Sequence, residues 1–212
     1  MRALPRRWLL LVLVPLLCAA ADSTRFALPP VPPKFAPPAH GVLFSDNFSR
    51  GLGAWQADQP GTWSVWHGML RADLPDQKQL RSVLRAGDSL WTDYALDFDM
   101  CMMRGVDKGA VVRLVDESGV GVDLRGGTYQ DVVAYIREWS AGKAAALNAD
   151  ATWNHMRIEV RGLRMIVRVN GEEKLDRAIT RARKRGGIAL AAYTGGAGEC
   201  TVYYDNVVVT AL

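Results

Sequence analysis

Cysteine, histidine and helical periodicity are all scarce here, and each scarcity removes a class of function. The 212 residues include three cysteines and three histidines, with no set at the spacing of a zinc site. His40, His67 and His155 cannot be assembled with a serine or cysteine into a nucleophile–base arrangement. Apolar residues almost never recur at the 3.6-residue helical period; residues 143–151, rich in alanine, are the one helical candidate. No segment repeats, and no apolar run reaches the ~20 residues that a membrane-spanning helix needs.

Charge is also nearly balanced once the N-terminus is set apart. The chain opens MRALPRRWLLLVLVPLLCAAAD, with a basic start, an apolar run over residues 8–17 and an Ala-Ala-Ala cleavage signal. That is the grammar of a secretory signal peptide over residues 1–21, and it predicts a secreted or periplasmic mature chain. Arg2, Arg6 and Arg7 go with it, so 26 Lys+Arg against 22 Asp+Glu becomes 23 against 22. A near-neutral mature chain gives no support for a nucleic-acid partner. Cys101 and Cys200 remain after cleavage. They either form one disulfide closing a long loop, worth about 2–4 kcal/mol, or stay as two buried thiols.

Residues 22–40 carry six prolines between Pro29 and Pro38. Proline lacks the N–H that a sheet ladder requires, so this segment reads as an extended spacer or exposed arm. Residues 41–212 then form one domain. Short runs with period-two alternation recur through it between Gly-rich turns. The clearest is WNHMRIEVRGLRMIVRVNG, residues 153–171. Met156, Ile158 and Val160, then Leu163, Met165, Val167 and Val169, fall on one face, while Arg157, Glu159, Arg161, Arg164 and Arg168 fall on the other. Gly162 and Asn170-Gly171 tolerate the positive φ of tight turns. The pattern predicts an all-β, two-sheet antiparallel sandwich.

The segments LFSDNFSRGLGAW, GTWSVWHGML, TDYALDFDM, KGAVVRL, WNHMRIEVRG, IVRVNGE, GGIALAAY and VYYDNVVV occur in an order that resembles the concanavalin A-like, or laminin G-like, jelly roll. In particular the chain is similar to the family of 3-keto-disaccharide hydrolases and family 16 glycoside hydrolase-like domains. The resemblance implies carbohydrate as the partner and a sugar site on the concave face of one sheet. It also implies a place for structural Ca²⁺ where the first and last strands meet, here at Asp46 and Asp205. The alternative for both aspartates is turn capping beside Asn47 and Asn206.

Catalysis finds little support in the residues. Glycoside cleavage needs two carboxylates across the bond, and the E-x-D-x-E run of family 16 enzymes is missing. Asp97-x-Asp99 puts two acids on one strand face, read as a solvated surface. A binding face is easier to build. Treating residues 132–139 as one strand with Ala134 and Ile136 inward places Tyr135, Arg137 and Trp139 outward, with Arg113, Asp123 and Arg125 on neighbouring strands. Aromatic rings cover the apolar face of a sugar ring while Arg and Asp satisfy its hydroxyls. The basic run at Arg177, Arg181, Arg183, Lys184 and Arg185 reads as a solvated loop. Non-catalytic carbohydrate binding is therefore the leading expectation. A glycoside-cleaving enzyme of the 3-keto-disaccharide type and a structural or protein-interaction module are the alternatives. Acids paired across the groove would favour the enzyme.

Overall fold

A computed structural model of the chain describes residues 23–33, 36 and 38–212; the leader expected over residues 1–21 lies outside them. Among the described residues fifteen strands form two antiparallel sheets. The first sheet runs in the order β13 (Glu172–Ala178), β12 (Arg164–Val169), β11 (Trp153–Arg161), β6 (Tyr94–Arg104), β15 (Cys200–Ala211), β4 (Met69–Leu74), β3 (Trp63–Trp66), with β1 (Val42–Asp46) also paired to β15. The second runs β10 (Trp139–Ala145), β9 (Asp131–Ile136), β8 (Ser118–Arg125), β7 (Asp107–Val115), β14 (Gly187–Tyr193), β5 (Arg81–Ala86), β2 (Gln56–Ala57). Residues 143–151 are not helical. Lys143 and Ala144 pair with Val133 and Val132 of β9, and cross-strand pairing overrides the weak preference of alanine for helix.

The residues 153–171 meander forms as its alternation requires. Met156, Ile158, Val160, Met165, Val167 and Val169 are buried, and Arg161 pairs with Arg164 across a two-residue turn. That turn takes Leu163, which is partly exposed, off the apolar face. Asn170 and Gly171 both have positive φ, as the tight turn into β13 demands. The core lies between the sheets, and two tyrosines cross it. Tyr94 of β6 donates to the Gly187 carbonyl at 3.0 Å. Tyr204 of β15 donates to the Ala191 carbonyl at 2.6 Å and lies 3.1 Å from that of Gly109. Both hydroxyls satisfy backbone of the second sheet from the first, so aromatic burial is achieved without an orphaned polar group.

Cys101 and Cys200 are free and buried, which settles the alternative left open by their sequence positions. Cys101 packs with Met69 and Tyr203 on the outer face of the first sheet, whereas Cys200 belongs to the core between the sheets. Side chains leaving opposite faces of one sheet cannot be bridged. Asp97 and Asp99, expected on a solvated face, are buried. His155 sits between them, 3.2 Å from Asp97 and 2.8 Å from Asp99, and Arg157 pairs with Asp97 at 2.5 Å. Nor does the proline-rich arm stand free: over residues 25–33 it lies on that same outer face.

Candidate functional site

The outer face of the second sheet gathers charged and aromatic side chains around a surface depression. In β5 the residues alternate, with Ser82 and Leu84 inward and Arg81, Val83 and Arg85 lining a surface depression. In β7 and β8 the outward positions are Asp107, Gly121, Asp123 and Arg125, and in β9 they are Val133 and Tyr135. One depression of about 520 Å³ is lined by Gln79, Arg81, Asp107, Asp123, Arg125, Val133, Tyr135, Ala191 and Tyr193. A second, of about 350 Å³, includes Val83, Arg85, Gly119, Gly121, Arg137 and Ala189. Arg81 and Tyr135 line both, so the two form one groove of the size that takes a small ligand.

Small residues make the groove possible. Gly121 pairs directly with Tyr135, and a Cβ at Gly121 would stand 2.2 Å from the Tyr135 ring. The ring therefore folds over the glycine, with the Arg81 guanidinium 5.9 Å from its centroid. The floor is held from below, since the Ala191 carbonyl is the acceptor of Tyr204. At one end Tyr193 donates to Gln79.

Electrostatics distinguish the two acids of the groove from surface carboxylates. Asp123 is 8% exposed, and burial, reinforced by the Asp107 charge, pushes its carboxyl up to about 6, against the opposing pull of Arg81 and Tyr135. Asp107 is raised by burial too, while Lys108 and Arg125 draw it back down. Lys108 itself points into the core beneath them, buried, and burial lowers its pKa. Arg125 is committed to Asp131 through two bonds of 2.7 and 2.8 Å, and its guanidinium lies 4.2 Å above Tyr129. The groove thus offers positive donors and acidic acceptors in balance, a combination suited to a neutral ligand with many hydroxyls.

Of the six expected binding residues, Asp123, Arg125 and Tyr135 meet in the main depression, and Arg137 lines its neighbour. Two do not belong. Arg113 sits at an irregularity of β7 with a φ of 54° and no exposure. It donates to the carbonyls of Gly162 at 2.8 Å and Arg183 at 3.0 Å and pairs with Asp93 at 3.2 Å, tying loops together. Trp139 is displaced because β9 ends at Ile136. Arg137, with a φ of 53°, and Glu138 make a turn, after which Trp139 pairs with Ile136 and Ser140 with Tyr135. Directly paired residues share a sheet face, so Trp139 leaves on the side of Ile136 and stacks under Arg181 at 4.1 Å. Arg81, Asp107 and Gln79 were missed by sequence reasoning; the alternation of RSVLRA was the available signal for Arg81.

The ends of the domain do bring Asp46 and Asp205 close enough to interact: burial, Asp99 and Asp46 together raise Asp205 to about 6. Three of their four carboxylate oxygens already accept bonds. Asp46 accepts from the Phe48 N–H at 2.7 Å and the Trp55 Nε1–H at 2.8 Å, and Asp205 accepts from the Asn206 N–H at 2.7 Å. Among the described residues no group of three or more His, Cys, Asp or Glu side chains could hold a metal. The two aspartates supply part of the six to eight oxygens that calcium takes.

Residues 42–210 match the model of the 3-keto-alpha-glucoside-1,2-lyase-like domain. The chain belongs to this family. Membership in the 3-keto-alpha-glucoside-1,2-lyase-like family accords with the architecture of similar solved structures. A carbohydrate-binding module of type CBM66 from Bacillus subtilis superposes with a TM-score of 0.64 at 13% identity, covering 74% of this chain and 96% of that one. A prokaryotic β-1,3-1,4-glucanase (lichenase) from a mouse hindgut metagenome gives 0.63 at 14% identity over 80% and 99%. The exoplasmic/lumenal domain of VIP36, solved with Ca²⁺ and Man3GlcNAc, gives 0.59 at 12% identity over 76% and 85%. At such identities these likenesses establish the shared concanavalin A-like sandwich. No curated protein sequence matches the chain. Among the described residues no helix is long and apolar enough to cross a membrane.

Proposed function

We propose that the groove on the outer face of the second sheet binds carbohydrate. The observation that carries this is the junction at Arg81 and Tyr135, where an aromatic ring, a guanidinium and two carboxyls, Asp107 and Asp123, face one depression. A sugar ring stacks its C–H face on Tyr135 while Arg81 and the carboxyls take its hydroxyls; charged partners roughly double the strength of such bonds. Carbohydrate recognition in the CBM66 and VIP36 structures supports the reading by analogy of fold. A glycan array with the whole chain, repeated with Arg81→Ala, tests it. A retained glycan whose binding drops at least tenfold in the variant is expected; retention equal in both would refute this site.

The acid pair favours a second reading, in which the groove also cleaves its ligand. In a 3-keto-glycoside the ketone acidifies the C2–H. A carboxylate that removes this proton drives the electron pair into a C1–C2 double bond as the C1–O bond breaks, and a carboxylic acid protonates the departing oxygen. A carboxyl held near pH 6, as Asp123 is, suits such proton transfer, with Asp107 as its partner. Incubation with a 3-keto-disaccharide, followed for enone absorbance, tests this reading. Product formation lost in Asp123→Asn and Asp107→Asn supports it; a bound but unconverted substrate leaves binding alone.

The leader residues 1–21 support secretion or periplasmic export, which fractionation of expressing cells with N-terminal sequencing tests. Calcium at Asp46 and Asp205 would require Asp46 to release the Phe48 and Trp55 donors. A melting temperature raised by Ca²⁺ and lowered by chelator would support it.

A further inference from the structure

The proline-rich arm is held on the first sheet as a peptide ligand is held. Three of its carbonyls, spaced three residues apart, accept bonds from that face. Tyr203 donates to Ala27 at 3.4 Å, Trp153 Nε1 to Pro30 at 2.7 Å and Asn206 to Pro33 at 3.0 Å. Burial repeats with the same period: Pro29 is buried and Pro32 half-buried, while Leu28 and Val31 are 49% and 90% exposed. A polyproline II helix has three residues per turn and rises about 9.3 Å in that turn. Trp153 and Tyr203 flank Cys101 in register across β11, β6 and β15, which separates them by two strand spacings, roughly 9.6 Å. The residues that carry the first two donors are therefore spaced at about the pitch of such a helix, while the third, Asn206, stands on β15 with Tyr203.

The chemistry of the contact also selects proline. Among the described residues the bonds that tie the arm's backbone to this face, including one from Arg71 to the Arg25 carbonyl at 2.7 Å, reach its C=O groups and draw on none of its N–H groups, so the missing N–H of proline costs nothing. The surface beneath is aromatic and apolar: Met69, Cys101 and Tyr203, with Trp66, Met103 and Trp153 around them. At one end the Arg71 guanidinium lies 4.6 Å from the Trp66 ring, and Arg25 pairs with Asp73 at 3.0 Å. Indole N–H groups and aromatic grooves are how proline-rich segments are commonly read.

We propose that the outer face of the first sheet is a polyproline-recognition surface, separate from the sugar groove. Residues 25–33 are its resident ligand, and the partner it fits in trans is a proline-rich segment in the polyproline II conformation. The resident arm competes at the high effective concentration of a tethered ligand, so a partner binds as the arm is displaced.

The test uses the whole chain with Pro29→Ser, Pro30→Gly, Pro32→Ser and Pro33→Gly, and a fluorescent peptide RFALPPVPP read by anisotropy. Saturable binding is expected, at least tenfold weaker to the unmodified chain. Adding Trp153→Phe should weaken it about fivefold, as loss of one hydrogen bond predicts, and a peptide with alanine for proline should not bind. Absence of binding to a folded arm variant, or equal binding with Trp153→Phe, would overturn the proposal. Should the arm variant fail to fold, trypsin cleavage after Arg25 in the otherwise unmodified chain decides. Trp153→Phe with Asn206→Ala should accelerate it about tenfold, and an unchanged rate overturns the proposal.

Discussion

Gly121→Ala should disable the groove while sparing the fold. A Cβ at this position would meet two Tyr135 ring carbons at 2.2 and 2.3 Å and the hydroxyl oxygen at 2.6 Å, and those three atoms are its nearest neighbours. Gly121 is not among the positive-φ residues, so alanine is conformationally allowed there. The atoms met are the far end of a partly buried side chain that lines an open depression, so it can give way there and the stability cost should stay within about 1 kcal/mol. The consequence falls on Asp123. Its rise from 3.8 to about 6 comes first from burial, and each unit is about 1.4 kcal/mol between its two protonation states. Loss of the Tyr135 bond acts the other way, but burial is the larger cause. Water admitted by the displaced ring should therefore lower the Asp123 pKa by about one unit. Carboxyl ¹³C NMR titration reads that shift without knowledge of the ligand, and glycan affinity should fall about tenfold in parallel. An Asp123 titration unmoved in a folded Gly121→Ala protein would refute the view that Tyr135 roofs the site.

Other expectations are independent of the groove. His155 is raised to about 9 by its bonds to Asp97 and Asp99, so its contribution is complete below pH 6.5 and lost as pH rises through about 9. After allowance for solvent screening this is about 1–2 kcal/mol, visible as a melting temperature that falls between pH 7 and 10 and does so less in His155→Gln. Arg113→Met should cost about 1–3 kcal/mol in urea unfolding, because it removes the donor of two loop carbonyls and one of the two partners of Asp93, which keeps the Gly162 N–H. Tyr204→Phe should cost about 1–2 kcal/mol and speed hydrogen exchange in β14, whose Ala191 carbonyl it leaves without that donor.

Much of the sandwich was legible in the chain because a strand's faces are written at the shortest range. The alternation of Met156, Ile158 and Val160 alone states which side is buried. The same reasoning failed at Trp139, where one unrecognised turn at Arg137 and Glu138 reversed the face of Trp139 and Ser140 until the bulge before Gly142 restored the alternation. It also passed over β5 and β13, whose inward sets are too small to stand out: Leu175 is the one buried side chain of β13. The candidate site was half visible. Tyr135 and Asp123 lie twelve residues apart on adjacent strands, but Arg81 reaches them only because β14 inserts between β5 and β7, a strand order no local pattern encodes.

The sequence by itself determined the class of fold, the alternating faces and the tight turns, all of them consequences of backbone geometry and local burial. Tertiary structure alone decided which residues share a site. It drew Arg81, Asp107 and Asp123 together, withdrew Arg113 into a loop tie, kept the two cysteines on opposite faces of one sheet, and laid the proline-rich arm on a surface assembled from β11, β6 and β15. Those outcomes depend on strand order and register, which minimise the free energy of the whole sandwich rather than of any segment within it.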